Sequence, residues 1–242
     1  MAKPNGVTMK NLKESFEILR SQELWLTLID SVESTIGHHF VPQIAADPSI
    51  TTVGEWAQAI EERKRQQTSA LTVRFAYDFE ARFRQVARQF GVDVLDKEES
   101  DVGCDFRVLT SDWGIIHFEV KTTQSVQGWT GSTHSEGKGK ANNYVLVSFG
   151  LDLDYPISTS TYSLPGVIES VHCSVLGEDI PVNWNGTATT SNSSTTGKIP
   201  SSASEAYKKA IVFGSVKNNQ VWCKCIREDI RYRLGKGEVA AK

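Results

Sequence analysis

Two stretches in the middle of the chain alternate apolar and polar residues with a period of two. Val102, Cys104, Phe106 and Val108 mark the first, Ile116, Phe118 and Val120 the second, and most odd-numbered positions among them are polar. That period is the signature of a half-buried strand. Thr110-Ser111-Asp112-Trp113 between them reads as a turn. A hairpin centred on Asp112 sets Asp105 directly opposite Glu119, with Lys121 two residues on and on the same face.

The flanking patterns are helical on the N-terminal side. Leu12, Phe16, Leu19, Leu24, Leu28 and Ile29 predict one or two amphipathic helices over 9–32, and Trp56, Ala59 and Ile60 predict another over 53–67 with a charged second half. Phe75, Phe79, Phe83, Val86, Ala87 and Phe90 form a stripe along a helix over 71–91, with Gly91 as its natural stop before a strand that starts at Val92. Glu80 lies within about 60° of Ala76, Phe83 and Ala87 on that helix, at the edge of its buried face. A boundary glutamate that reaches solvent or pairs with Arg84 is the competing account.

After the hairpin, 124–143 is rich in Gly, Ser, Gln and Lys, and any helix there is short or irregular. Asn143 to Gly150 supplies an apolar internal strand. The stretch 155–204 is the least regular, close to low complexity around 184–197, and a last hairpin follows: a strand over 210–216, a turn over 217–220 and a strand over 221–226. The expected organisation is α/β within one compact domain. It comprises an N-terminal helical extension (1–70), a core (71–154), an irregular polar insertion (155–204) and a basic C-terminal hairpin and tail (205–242).

The 242 residues, 39% of them apolar, suffice for a hydrophobic core. No run of 18 apolar residues exists and the first residues carry no apolar signal region, so the expectation is a cytoplasmic protein without a membrane partner. Cys104, Cys173, Cys223 and Cys225 are then expected as thiols. The Cys223-Lys224-Cys225 pair lacks a second pair at zinc spacing and reads as ordinary strand. The net charge is -3, unevenly spread: nine Lys or Arg against four Asp or Glu from Glu205 onward make that segment +5 and the rest -8. A local basic surface can bind phosphate on an acidic molecule.

Two opposed carboxylates on one sheet face are a hard-oxygen pair suited to Mg²⁺, which takes one or two carboxylates and fills its octahedron with water and substrate phosphate. Asp105 and Glu119 are the candidate ligands, the Val120 backbone carbonyl a third, and Lys121 is placed to orient or deprotonate a water and to offset charge on a phosphoryl group. Glu-x-Lys by itself carries little weight, because Glu62-x-Lys64 and Glu136-x-Lys138 also occur; only the central one lies on a predicted strand. The competing account is a solvated sheet face on which Lys121 screens two acids. His117, which pairs with Arg107 in the same register, reads as a sheet-face histidine, and His38-His39 as a capping or surface pair. The chain has no Walker loop, dinucleotide fingerprint or serine elbow, so no nucleotide cofactor is expected.

Cys104-Asp105, thirteen residues, then Glu119-Val120-Lys121 resembles the motif of the PD-(D/E)xK nuclease superfamily. The predicted order of elements over 71–151 is similar to that family's αβββαβ restriction-endonuclease-like core with a mixed sheet. Cys104 stands where the motif's name has proline, and the crossover helix is weak. The resemblance implies that Glu80 on the first helix assists the metal site. With the helical extension and the C-terminal strand-and-loop addition, it further implies a Mg²⁺-dependent type II restriction endonuclease, a homodimer cutting double-stranded DNA at a short site. Base readout is expected from the loops over 124–140 and 187–198. Lys138, Lys140, Lys208, Lys209, Arg227, Arg231 and Arg233 are the expected phosphate contacts. A structure-specific repair or recombination nuclease of the same superfamily, and a non-catalytic DNA-binding module, are the alternatives.

Overall fold

Every fourth or third side chain of one helix is buried, and that stripe organises the molecule. In the computed structural model, which describes residues 9–63, 70–96, 98, 104–123, 129–132, 143–160, 162–180, 183–185, 194–198, 204–217, 220–223 and 225–226, the helix predicted over 71–91 runs Ala70–Gln89. Phe75, Phe79, Phe83, Val86 and Ala87 are all buried. It stops in a Schellman motif: the Val92 N–H donates to the Ala87 carbonyl and the Gly91 N–H to the Arg88 carbonyl, each at 3.0 Å. Gly91 takes φ 85°, the left-handed conformation this motif requires.

Four helices precede it: α1 (Leu12–Leu19), α2 (Gln22–Ile36), α3 (Val41–Ala46) and α4 (Val53–Arg63), making the long helix α5. The pattern over 9–32 thus resolves into two helices, split where Ser21 caps α2 by accepting from the Leu24 N–H at 3.2 Å. Helix α2 packs on α5 through Trp25, whose ring centroid lies 5.7 Å from both Phe79 and Phe83.

The strands are β1 (Val94–Asp96), β2 (Phe106–Thr110), β3 (Gly114–Thr123), β4 (Trp129–Ser132), β5 (Asn143–Leu151), β6 (Ile168–Leu176), β7 (Asn183–Asn185), β8 (Ser194–Lys198), β9 (Ile211–Phe213), β10 (Ser215–Lys217), β11 (Gln220–Cys223) and β12 (Cys225–Ile226), with α6 (Ser204–Ala210) before β9. The main sheet is mixed, in the order β1-β2-β3-β5-β6-β12, and β9 also pairs with β6. Strands β1, β2 and β3 are successively antiparallel, and β5 joins β3 in parallel, as expected of three antiparallel strands followed by a crossover. The α/β class is therefore as read from the sequence.

Three expectations are corrected. The crossover between β3 and β5, assigned to a helix in the αβββαβ pattern, contains strand β4 among its described residues, and β4 pairs with β8 and β8 with β7 in a separate three-stranded sheet. The stretch 155–204, expected to be an irregular insertion, contributes β6, a fully internal strand held by β5 on one side and by β9 and β12 on the other. Val171, Cys173 and Val175 alternate there with Ser170, His172 and Ser174, a period-two signal bracketed by irregular sequence. Ala210 belongs to α6 rather than to the last hairpin, and Gly214 at φ 118° separates β9 from β10.

The two faces of the sheet are covered differently. Phe106 and Phe118 stack in the β2–β3 pair at 5.1 Å, Phe106 meets Phe83 at 5.3 Å, and Phe149 of β5 stacks on Phe75 at 3.7 Å, so α5 covers the face that carries the even-numbered residues of β3. On the opposite face α6 sits over Leu146 and Leu176 with its fully buried Tyr207.

Candidate active site

Strand alternation places Glu119 and Lys121 on the face opposite the phenylalanines. The β2–β3 register runs Phe106↔Phe118, Arg107↔His117, Val108↔Ile116, Leu109↔Ile115 and Thr110↔Gly114, which is the hairpin centred on Asp112. Its tip is tied to α1: the Leu12 N–H donates to Asp112 Oδ1 at 2.8 Å and the Ser111 N–H to the Lys10 carbonyl at 2.9 Å.

Asp105 sits one residue before β2. Its N–H donates to the Phe118 carbonyl at 2.8 Å, and its carboxylate Oδ2 accepts from the Val120 N–H at 2.7 Å. The acid thus takes the place that a backbone carbonyl would have in a continued ladder. In a strand the N–H and C=O of one residue project to the same side, so the Val120 carbonyl faces the same edge as the Asp105 carboxylate. The β2–β3 ladder ends at Phe106↔Phe118, so the expected pairing of Asp105 with Glu119 is not one of its paired positions; the Asp105 carboxylate meets the backbone of Val120, the next residue along β3.

Glu119 is 8% exposed, and its Oε1 is bonded to the Lys121 ammonium. In the parallel pairing with β5, Glu119 lies beside Tyr144 and Lys121 beside Leu146. Tyr144 and Leu146 in turn pack with Leu176 of β6 and with Tyr207 and Ala210 of α6 in one apolar cluster on this side of the sheet. His117 and Arg107 continue the same face; the Arg107 guanidinium is turned to Asp96, donating to its carbonyl at 2.7 Å, and to Glu98 at 3.0 Å.

Glu80 is carried by α5, which covers the opposite face of the sheet from Glu119, and its pairing with Arg84 is the one the competing account gave. Its Oε1 pairs with Arg84 Nη1 at 3.1 Å, and the same Nη1 donates to the Asp105 carbonyl at 3.2 Å. The i,i+4 pairing of Glu80 with Arg84 follows from helical spacing. Arg84's reach to Asp105 does not, and this residue was missed from the sequence. Among the described residues no three His, Cys, Asp or Glu side chains form a group able to hold a metal ion. An ion at this site would rest on the Asp105 and Glu119 carboxylates, whose oxygens are the hard donors Mg²⁺ takes, with water and phosphate in its other positions.

The basic residues are only partly described. Lys208 and Lys209 are exposed on α6, Lys208 pairing with Glu205 at 2.6 Å; Lys138, Lys140, Arg227, Arg231 and Arg233 lie outside the described residues. The expected reading loops contribute β4 and β8, which pair Trp129↔Gly197 through Ser132↔Ser194. His39, one of the two adjacent histidines, finds an acid that sequence spacing did not offer, Asp78 of α5. A second polar cluster came only from the structure: buried His172 and Ser174 bond the Tyr207 hydroxyl at 2.8 and 3.3 Å, and burial pushes that phenol well above its ordinary range. No helix among the described residues is long and apolar enough to cross a membrane.

No family model matches this chain, and no curated protein matches it.

Proposed function

We propose that this protein is a metal-dependent endonuclease that hydrolyses phosphodiester bonds of double-stranded DNA, cutting at a short specific site as a homodimer in the manner of a type II restriction enzyme. The observation that carries the reading is a buried Glu119 carboxylate with Lys121 on the same sheet face, beside an Asp105 carboxylate anchored on the Val120 N–H. Burying the Glu119 carboxylate costs stability unless a cation offsets it. Such a cost is usual at sites that use charge.

When bound, Mg²⁺ offsets charge on the phosphoryl oxygens and lowers the pKa of water. Asp105 and Glu119 would hold it. The Val120 N–H orients Asp105, and Arg84 holds the Asp105 backbone from the helix side. Lys121 has three rotatable donors on a flexible stem, suited to orienting a water and to stabilising negative charge on the phosphate. Water adds to phosphorus in line, the bond to the leaving sugar oxygen breaks, and that oxygen takes a proton. The exposed lysines of α6 lie on the same side of the sheet as Glu119 and suit backbone phosphates.

The test is a digest of mixed-sequence DNA with Mg²⁺, followed by sequencing of the ends, with Asp105→Ala and Lys121→Ala alongside. Discrete ends for the wild type, with cleavage lost and DNA binding kept in both variants, support the reading. Cuts at junctions or flaps regardless of sequence point instead to a structure-specific nuclease, and no Mg²⁺-dependent cleavage at all overturns the enzyme.

A further inference from the structure

A carboxylate as enclosed as Glu119 needs a cation. Its side chain is 11% exposed and that of Lys121 17%, so both charges have given up most of their water, and neither is stable there without a partner. The residues beside the pair on β5 are Tyr144 and Leu146, which carry no charge. The ammonium is bonded to Oε1 of the same carboxylate that a divalent ion at this site would have to use.

We propose that Lys121 is the resting counter-ion of Glu119, and that a divalent cation binds by displacing its ammonium from that carboxylate. This rests on the assignment of Asp105 and Glu119 as metal ligands. One ammonium and one divalent ion cannot share a half-enclosed oxygen without repulsion, since like charges a few ångströms apart raise each other's energy steeply where water is scarce. Lysine's four-carbon stem lets the ammonium swing away while its backbone stays in β3. Loading the ion and freeing Lys121 for the substrate become one event: Lys121 shields the buried Glu119 carboxylate until the ion arrives and is released only when its replacement is there. A charge that helps the reaction then opposes binding of the ion that the reaction needs.

The test is Mg²⁺ affinity of the full chain, measured by calorimetry without DNA. Lys121→Met is expected to bind Mg²⁺ at least about ten-fold more tightly than wild type while losing cleavage, because the competitor is gone. Lys121→Gln removes the charge but keeps a hydrogen-bond donor for Glu119, and should tighten binding likewise if Lys121→Met fails to fold. Lys121→Arg, which keeps a cation on the carboxylate, should stay within about three-fold of wild type. Lys13→Met removes an equal charge from an exposed position on α1 and should change affinity by less than about two-fold. Unchanged or weaker binding in both Lys121→Met and Lys121→Gln overturns the displacement, even where Asp105→Ala abolishes cleavage and the nuclease reading stands. Binding that Glu119→Gln leaves unaltered overturns the displacement together with the metal assignment.

Discussion

The Asp105 carboxylate accepts the Val120 N–H at 2.7 Å, so the side chain proposed to hold a metal also ends the β2–β3 ladder. One residue thereby serves both the sheet and the site, and the two uses separate by substitution. Asp105→Ala leaves the Val120 amide without its charged acceptor and should destabilise the protein by about 1–3 kcal/mol. Asp105→Asn keeps an oxygen for that amide and should recover most of the stability. Cleavage should fall by at least about 100-fold in both. Urea unfolding beside a cleavage assay checks the split; full activity in Asp105→Asn would remove Asp105 from the metal.

Glu33 is a buried acid with a purely architectural role. It is 1% exposed on α2, and its two carboxylate oxygens accept the Gly166 and Ile168 N–H groups at 2.9 Å each, pinning the start of β6 to the helical layer. Glu33→Ala should cost about 2–4 kcal/mol, and Glu33→Gln, which keeps one acceptor, roughly half of that. Chemical denaturation measures both. Equal stability of Glu33→Ala and wild type would show that β6 does not need this anchor.

Tyr207 predicts behaviour in alkali. Burial raises its phenol above the ordinary value of 10.0, and Ser174 opposes the rise only in part. The folded chain keeps the proton at pH values where the unfolded chain has lost it, so the stability tied to this group is complete below about pH 10 and is lost as pH rises toward the folded-state value. Thermal unfolding between about pH 9 and 11.5 should show this fall in wild type and a shallower one in Tyr207→Phe. Absorbance of tyrosinate should show one tyrosine that titrates only on unfolding.

Glu55 gives the opposite sign at the acid end. Its carboxylate Oε2 accepts the Thr51 N–H at 2.7 Å, the Thr51 hydroxyl at 2.9 Å and the Thr52 N–H at 3.1 Å, and these bonds, the Thr51 N–H foremost, hold its carboxyl below the ordinary 4.5. Its contribution is present above the ordinary value and disappears as pH falls through the lowered folded-state value. The difference in Tm between wild type and Glu55→Gln should therefore be largest near neutrality and shrink below about pH 4.5. A difference that is constant with pH would mean that the charge is irrelevant to these bonds.

What was legible beforehand was local. The alternation through Phe106, Val108, Ile116 and Phe118 is enough to set the hairpin register, because a one-residue slip would turn every phenylalanine to the wrong face. The stripe from Phe75 to Ala87 and the stop at Gly91 follow from helical period and from glycine's freedom at positive φ. Glu119 and Lys121 share a face because they are two apart on a strand. Strand β6 has its own alternation, yet the acceptor for the amides at its start is Glu33, 133 residues or more away. Nothing local marks that anchor.

The chain by itself determined the N-terminal helical stripes, the faces of the central hairpin and the pairing of β2 with β3, since these depend on neighbours a few residues apart. Only the tertiary structure decided that Glu119 is buried beside Tyr144 of β5, that its carboxylate meets the Lys121 ammonium, and that Arg84 reaches across from α5 to the Asp105 carbonyl. The physical reason is that burial and charge pairing are properties of surfaces that meet from distant parts of the sequence. Periodicity states which face of an element is apolar; it does not state what closes over the polar one.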